Sequence, residues 1–299
     1  MKRREFITLL GGAAAAWPLT ARGQEPGRIY RLGGLHASPR NAPHFVALFD
    51  ELRRLGFIEG GNLMIDAAGF GLPPERMEVH AADLMNGPVD VILAAGDVAV
   101  RAAQRATTSI PILAITDDMV GQGFVNSLSK PGGNITGITI LSSELDGKRQ
   151  EILIESVPGA RRIAALVDSG TTTPSQLRML ADGARARGVE LSVHRVARRE
   201  EIGNAIDAAK ATGAGAVNVL ASPLLFSSRA FIFHRLAALR LPAVYQFPEM
   251  AEQGGLIGYG APFVQLFRDV VSRQLANLLR GSKPCRSADR AADQIQASD

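Results

Sequence analysis

Cysteine is nearly absent: Cys285 stands alone in 299 residues, so no intrachain disulfide can form. The fold must be held by its apolar core, which a chain of this length can supply as one large domain or as two lobes of roughly 120 residues. Long apolar runs are missing as well. The stretch Phe6–Trp17 spans 12 residues and is diluted by Thr8, Gly11 and Gly12, short of the roughly 20 that a membrane-spanning helix needs. Charge of one sign is also lacking. Lys2, Arg3, Arg4 and Arg22 against Glu5 place +3 of the +4 net charge in the first 24 residues, leaving 29 basic and 28 acidic residues beyond them. With aromatics at 5% and no basic patch interleaved with them, nucleic-acid binding is excluded.

Catalytic signatures are missing too. His36, His44, His80, His194 and His234 show no HExxH or other metal-ligand spacing. No GxSxG elbow occurs, and no GxGxxG follows the first predicted strand. No catalytic residue, metal or cofactor is therefore expected. The adjacent pair Asp117-Asp118, or His36, could do acid–base work in a Rossmann-type racemase or hydrolase. Neighbouring carboxylates at a strand end more often supply one ligand contact and one helix cap.

What is present begins with "RREFITLLGGAAAAWPLTARGQ" (Arg3–Gln24). A charged start, a short apolar run and small residues at Ala21 and Gly23 form an export signal cut near Gly23–Gln24. The Arg3-Arg4 pair makes it twin-arginine-like. Residues 1–23 are thus read as a cleavable signal that sends the chain to the periplasm.

From Arg28 onward, short runs rich in Ile, Val, Leu and Ala alternate with helical stretches. "IYRLGGL" (Ile29–Leu35), "NLMIDA" (Asn62–Ala67), "VDVILAAG" (Val89–Gly96) and "IPILAIT" (Ile110–Thr116) read as strands. Between them, Pro43–Leu55 puts Phe45, Leu48, Phe49, Leu52 and Leu55 on one helical face. Strands of this kind separated by helices form a parallel sheet covered on both faces. "SKPGGNITGITIL" (Ser129–Leu141) interrupts the rhythm with Pro131, Gly132 and Gly133, and the alternation then resumes through strands at 162–168, 190–196, 214–221 and 242–247. "GGLIGYG" (Gly254–Gly260) reads as a second crossing and Phe263–Leu279 as a returning helix. The expected fold is α/β, two Rossmann-like lobes with parallel sheets. Lobe one comprises 28–134 and 254–284, lobe two 135–253, and 285–299 is a tail.

In such lobes ligands meet the loops at the carboxyl ends of the strands. These ends are His36-Ala37-Ser38, Gly96-Asp97, Thr116-Asp117-Asp118, Asp168-Ser169-Gly170, Ala221-Ser222-Pro223 and Tyr245-Gln246-Phe247. Small residues, hydroxyls, carboxylates and aromatics together suit a modest polar or zwitterionic solute. Gly96-Asp97, just before a helix, can present backbone N–H groups to a carboxylate. Helix capping alone would also account for each loop taken singly.

The signal, with "LRRLGFIEGGNL", "TTSIPILAITDDMVGQGFVNSLSKPGGNITGIT", "ELDGKRQEIL", "VPGARRIAALVD" and "GGLIGYG", resembles the substrate-binding proteins of ABC importers typified by tryptophan- and phenylalanine-type receptors. The likeness covers about residues 1–284. It implies the type I periplasmic-binding-protein architecture, a cleft that closes about hinge crossings, and a monomer that hands its small-molecule ligand to an ABC permease in the inner membrane. Carried onto matching loops, it implies ligand contacts from Ser38, Gly96, Asp97, Asp118, Asp168 and Tyr245. Two loops depart from the pattern. Asp118-Met119 stands where the family has Asp-Pro, which implies a less rigid loop, and Asp168-Ser169-Gly170 stands where it often has Asn-Pro-Asn. The ending "CRSADRAADQIQASD" (Cys285–Asp299) replaces the family's last strand, as a shift of reading frame near Lys283–Cys285 would produce. The segment is expected to be aberrant and disordered. The function expected is a periplasmic receptor for an amino acid or similar solute. A periplasmic sensor feeding a signalling partner is the alternative within the same fold.

Overall fold

The computed structural model describes residues 27–284 and the backbone of Asp289–Arg290. The expected export signal, 1–23, lies outside the described residues. Lobe one is built on five strands, β1 (Tyr30–Leu35), β2 (Leu63–Ile65), β3 (Val91–Ala95), β4 (Ile112–Thr116) and β5 (Ile135–Thr139), all parallel in the order β5-β4-β3-β1-β2. Val91–Ala94 and Ile112–Ile115 are at most 2% exposed, because both faces of this sheet are covered. On one face, Phe45, Leu48 and Leu52 of α1 (Pro43–Arg54) meet Phe267, Val271 and Leu275 of the returning helix. On the other, α2 (Met77–Leu84) and α3 (Asp97–Ala106) bring Met77, Ala81, Val100 and Ala103 against Leu35, Ile92 and Ala114. Each such buried Phe, Leu, Ile, Val or Met side chain contributes about 1.5–3 kcal/mol, and each alanine methyl about 0.8 kcal/mol. Pro43 at the first position of α1 presets its entry, and Arg53 and Arg54 sit at its carbonyl end.

Lobe two repeats the design. The strands β6 (Arg162–Asp168), β7 (Glu190–Val196), β8 (Val217–Val219), β9 (Ala243–Tyr245) and β10 (Ile257–Gly258) are parallel in the order β10-β9-β8-β6-β7. One face carries α4 (Asp146–Ser156) and α5 (Pro174–Ala186), with Leu153, Leu180 and Ala184 buried against it. The other carries α6 (Ile202–Ala211) and α8 (Arg229–Ala238), which follows the short α7 (Pro223–Ser227). Thr173 and Gln176 form a reciprocal capping box at the start of α5. After β9 come the short α9 (Glu249–Glu252), β10 and then α10 (Phe263–Leu266). A π-helical turn (Phe267–Val271) links α10 to α11 (Ser272–Leu279), so the expected returning helix carries one widened turn.

The lobe boundaries differ from the sequence-based ones. Ile135–Thr139 pairs with β4, so the first sheet runs past residue 134 and the first crossing is Ile140–Leu145. Ile257–Gly258 pairs with β9, so lobe two extends past residue 253 and the second crossing follows it. Hydrophobic pattern marks a strand but not the sheet it joins, which explains both displacements. The tail differs as well. Asp289 and Arg290 pair in parallel with Ile138 and Thr139 of β5, an edge position that needs only backbone groups and carries no hydrophobic pattern to read. The remainder of 285–299 lies outside the described residues.

Gly137 explains part of the phrase that interrupted the rhythm. It lies directly opposite Ala114, and a Cβ there would fall 2.7 Å from the Ala114 carbonyl carbon, at a φ of 152°. Only glycine lets β5 approach β4 this closely. Gly137→Ala is expected to destabilise the fold by about 3 kcal/mol. Gly133→Ala, whose Cβ would meet nothing within 4 Å, should stay within about 0.5 kcal/mol of the parent. Urea unfolding of the two variants measures the difference.

Candidate functional site

The two sheets present the carboxyl ends of their strands to each other. A Cβ on Gly96, at the end of β3, would lie 3.6 Å from Pro223 Cγ, at the start of α7 after β8. The two lobes therefore meet at these two loops. Gly96 caps α3 with φ of 89° and leads into Asp97 in its first turn.

On the lobe-one side, Asp97 Oδ1 accepts from the Thr116 hydroxyl. Burial, assisted by the nearby Asp117 and Asp118, pushes the Asp97 carboxyl above the usual carboxylate range, against the Thr116 bond and the Arg101 charge. Asp118 serves its own turn, accepting from Val120 N (3.1 Å) and Gly121 N (2.8 Å). Asp117 serves the first crossing, accepting from Ser142 N (2.6 Å), Ser143 N and the Ser143 hydroxyl. The Asp117-Asp118 pair is thus committed to backbone amides. The loop that follows is anchored rather than loosened by Met119. Its side chain is fully buried in lobe one, and its N–H donates to Thr139 Oγ1 at 3.1 Å, a bond proline could not make. Ser38 is half-buried at the end of β1, its carbonyl accepting from Gly71 N at 2.9 Å.

On the lobe-two side, three strand ends are tied together. Asp168 Oδ1 accepts from Gly170 N (2.8 Å) and Oδ2 from Ser222 Oγ (2.6 Å). Ser222 caps α7, and its N–H donates to Gln246 Oε1 at 3.2 Å. Asp168 therefore shapes the face through Ser222 and Gln246. Tyr245 points away from the cleft. It is 2% exposed, packs edge-to-face on Phe233 at 4.9 Å and belongs to the lobe-two core, where burial pushes its hydroxyl upward. In β9 successive side chains alternate between faces, and sequence alone did not say which of Tyr245 and Gln246 faces inward.

The structure brings in residues that the sequence reading passed over. An aromatic seam runs between the lobes: His44 of α1 meets Phe263 and Phe267 at 5.0 and 4.7 Å, and Phe263 stacks on Phe247 at 4.4 Å and meets Phe226 at 5.2 Å. A shallow pocket opens on this seam beside Arg229 and Glu249. The Arg229 guanidinium lies over Phe226 at 4.6 Å and donates to Gln253 Oε1, while Glu249 Oε1 accepts from Val264 N. His36 packs between Phe45 and Phe70, with neither ring nitrogen hydrogen-bonded, and burial lowers its pKa to about 3. At neutral pH it is an uncharged imidazole in an apolar site, with no carboxylate to exchange a proton with. These groups come from segments far apart in the chain, so no local spacing announced them.

Arg149, in the phrase "ELDGKRQEIL", is not among the strand-end residues and also belongs to this junction. It is fully buried on α4 and pairs with Asp146 at 2.7 Å. Its guanidinium donates to the Ser142 carbonyl in the first crossing and to the Tyr259 carbonyl (2.9 Å) in the second. A charged pair three residues apart among the inward positions of a helix was the available signal.

Comparison with known proteins follows the same lines. The sequence pattern of the family described as "ABC transporter substrate binding protein" matches residues 47–295, running on through most of the segment expected to be aberrant. The tyrosine-binding protein of Clostridioides difficile (strain R20291) is 27% identical over 217 residues, 71% of this chain and 61% of that protein. The match thus spans less than two thirds of that relative's length. A conserved domain protein from Vibrio cholerae superposes with a TM-score of 0.74 at 21% identity, covering 90% of this chain and 94% of that one. The ABC domain from Streptococcus pneumoniae in complex with L-Trp gives 0.73 at 19% identity, covering 88% and 89%. At these identities the two likenesses concern the fold, the periplasmic-binding-protein-like α/β architecture. With its match over residues 47–295, the chain belongs to the family of ABC transporter substrate binding proteins.

Proposed function

We propose that this chain is a periplasmic solute receptor that captures an amino acid between its lobes and delivers it, as a monomer, to an ABC permease. The observation that carries the reading is the cleft, where Gly96 of one lobe meets Pro223 of the other between loops that end parallel strands. Binding that closes such a cleft needs groups on both faces. Lobe one supplies the N-terminus of α3 for a carboxylate and Asp97 for an ammonium group. Lobe two supplies the braced loop of Ser222 and Gln246. Relatives that hold L-Trp or are named for tyrosine support an aromatic amino acid as the first ligand to test. The roles are those of a receptor and involve no bond making or breaking. The export signal at 1–23 supports the periplasm as its compartment.

Thermal-shift and calorimetric titration of the chain from Gln24 against the twenty amino acids test this reading. An aromatic amino acid is expected to raise the melting midpoint, because it binds the native state alone. A folded sample that no amino acid stabilises would count against it. Asp97→Asn keeps the shape and removes the charge. It should weaken the same ligand by about 10- to 100-fold, the value of a hydrogen bond to a charged group. Because the Asp97 carboxyl sits above the ordinary range, it becomes neutral at a higher pH than an exposed carboxylate. Affinity should therefore fall with decreasing pH before reaching the usual value near about 4, and the Asp97→Asn variant should lack that step.

A further inference from the structure

We propose that Arg149, held by Asp146, is the hinge-positioning residue: it fixes both crossings at one spacing and ties them to the lobe-two face of the cleft. The two crossings lie far apart in sequence, 110 residues separating Arg149 from Tyr259. No strand pairing joins them, since Ile140–Leu145 leaves β5 and the second crossing leaves β10 at the edge of a different sheet. The guanidinium is what spans them, one nitrogen donating to Tyr259 O and the other to Ser142 O and Asp146 Oδ1. Gly260, next in the chain, leaves its Cβ position against the Gln246 carbonyl, so the second crossing also rests on the loop after β9.

Asp146 carries the connection onward. Its Oδ1 accepts from Ala221 N at 3.2 Å, its Oδ2 accepts from Gln176 Nε2 at 2.8 Å, and its carbonyl accepts from Asn218 Nδ2. Ala221 precedes Ser222 and Pro223, the loop that meets Gly96. From the opposite lobe, Asp117 holds the Ser142 and Ser143 amides. The first crossing is therefore gripped by a carboxylate of lobe one and a guanidinium of lobe two. Leu141, between them, is held buried at φ of 52°, a conformation a leucine keeps only when its surroundings impose it. Hinges are a few residues that absorb a change in φ and ψ, and here those residues are bracketed by two charged side chains.

The receptor reading gives this device its use, but the test needs no ligand. Nitroxide labels at the exposed positions Val79→Cys in lobe one and Met179→Cys in lobe two, in a Cys285→Ser background, report the interlobe distance by pulsed electron spin resonance. The parent is expected to give one narrow distribution. Arg149→Met, and Arg149→Lys with a single ammonium that cannot reach both crossings and Asp146 together, should shift its mean and widen it at least twofold. Exchange of the Ser142 and Ser143 amides should rise at least tenfold. Folded variants with the parent's distance distribution and exchange rates would overturn the proposal. Arg149→Lys retains the buried charge opposite Asp146 so that the fold survives; if it also fails to fold, Arg149 is a core ion pair and the proposal fails. Titration of the parent with the twenty amino acids separates the two readings: no effect of any of them, with the variants still splayed, rejects the receptor reading and leaves the hinge standing.

Discussion

A guanidinium buried at the junction of two lobes is the constraint on which the arrangement turns. Arg149 and Asp146 are at most 1% exposed, and taking both charges from water costs several kcal/mol for each ion. Burial pushes the Asp146 carboxyl upward, and the neighbouring Arg149 charge opposes that push. The cost is offset only because both groups are richly bonded, to carbonyls of both crossings, a backbone amide and the Gln176 amide. A hydrophobic pair of the same volume could fill the space, and such replacements are often neutral or stabilising. It could not hold two crossing carbonyls at fixed positions. The geometry of the bonds, rather than their net energy, is what the pair supplies.

The aromatic seam has the opposite character. Five percent of the chain is aromatic, yet Phe45, Phe226, Phe247, Phe263 and Phe267 converge with His44 where the lobes and the returning helix meet. Edge-to-face pairs add about 0.5–1.5 kcal/mol beyond their burial and tolerate small changes of angle. Burial and the Arg229 charge lower the His44 pKa to about 3, so the seam carries no titrating group near neutral pH. One junction is thus held by directional bonds and the other by rings that can slide.

Much of this fold is legible in the sequence, for a physical reason. Parallel strands buried on both faces must be continuous apolar runs, so Val91–Ala95, Ile112–Thr116 and Arg162–Asp168 stand out. The face of α1 follows from its 3.6-residue period. Legibility ends where partners are distant. Ile135–Thr139 is plainly a strand, but only its pairing along Ile112–Thr116, with Gly137 opposite Ala114, assigns it to lobe one. Asp118 and Asp168 are polar residues at strand ends in either case, and only in the folded chain do nearby groups already use their oxygens. Tyr245 and Gln246 exchange faces by one step of the pleat. Arg149 reads locally as a helix charge, and its meaning lies 110 residues away.

The carboxylates of the cleft divide by what they are free to do. Asp117, Asp118 and Asp168 are each bound through backbone amides or a capping hydroxyl, and a group so committed orients its surroundings and has little left to offer a ligand. Asp97 accepts one hydrogen bond, from Thr116, and its carboxyl is held above its ordinary range by burial beside two other acids. A carboxylate in that condition gains most from an incoming positive charge, because pairing relieves both its desolvation and its repulsion by Asp117 and Asp118. The Asp97 side chain stands next to Gly96, where the lobes touch. An ammonium group seated there would add to the single Arg101 charge that faces Asp97 within its own lobe, opposite a lobe whose loops are already fixed. Its attraction to Asp97 would then act across the same contact that closure requires.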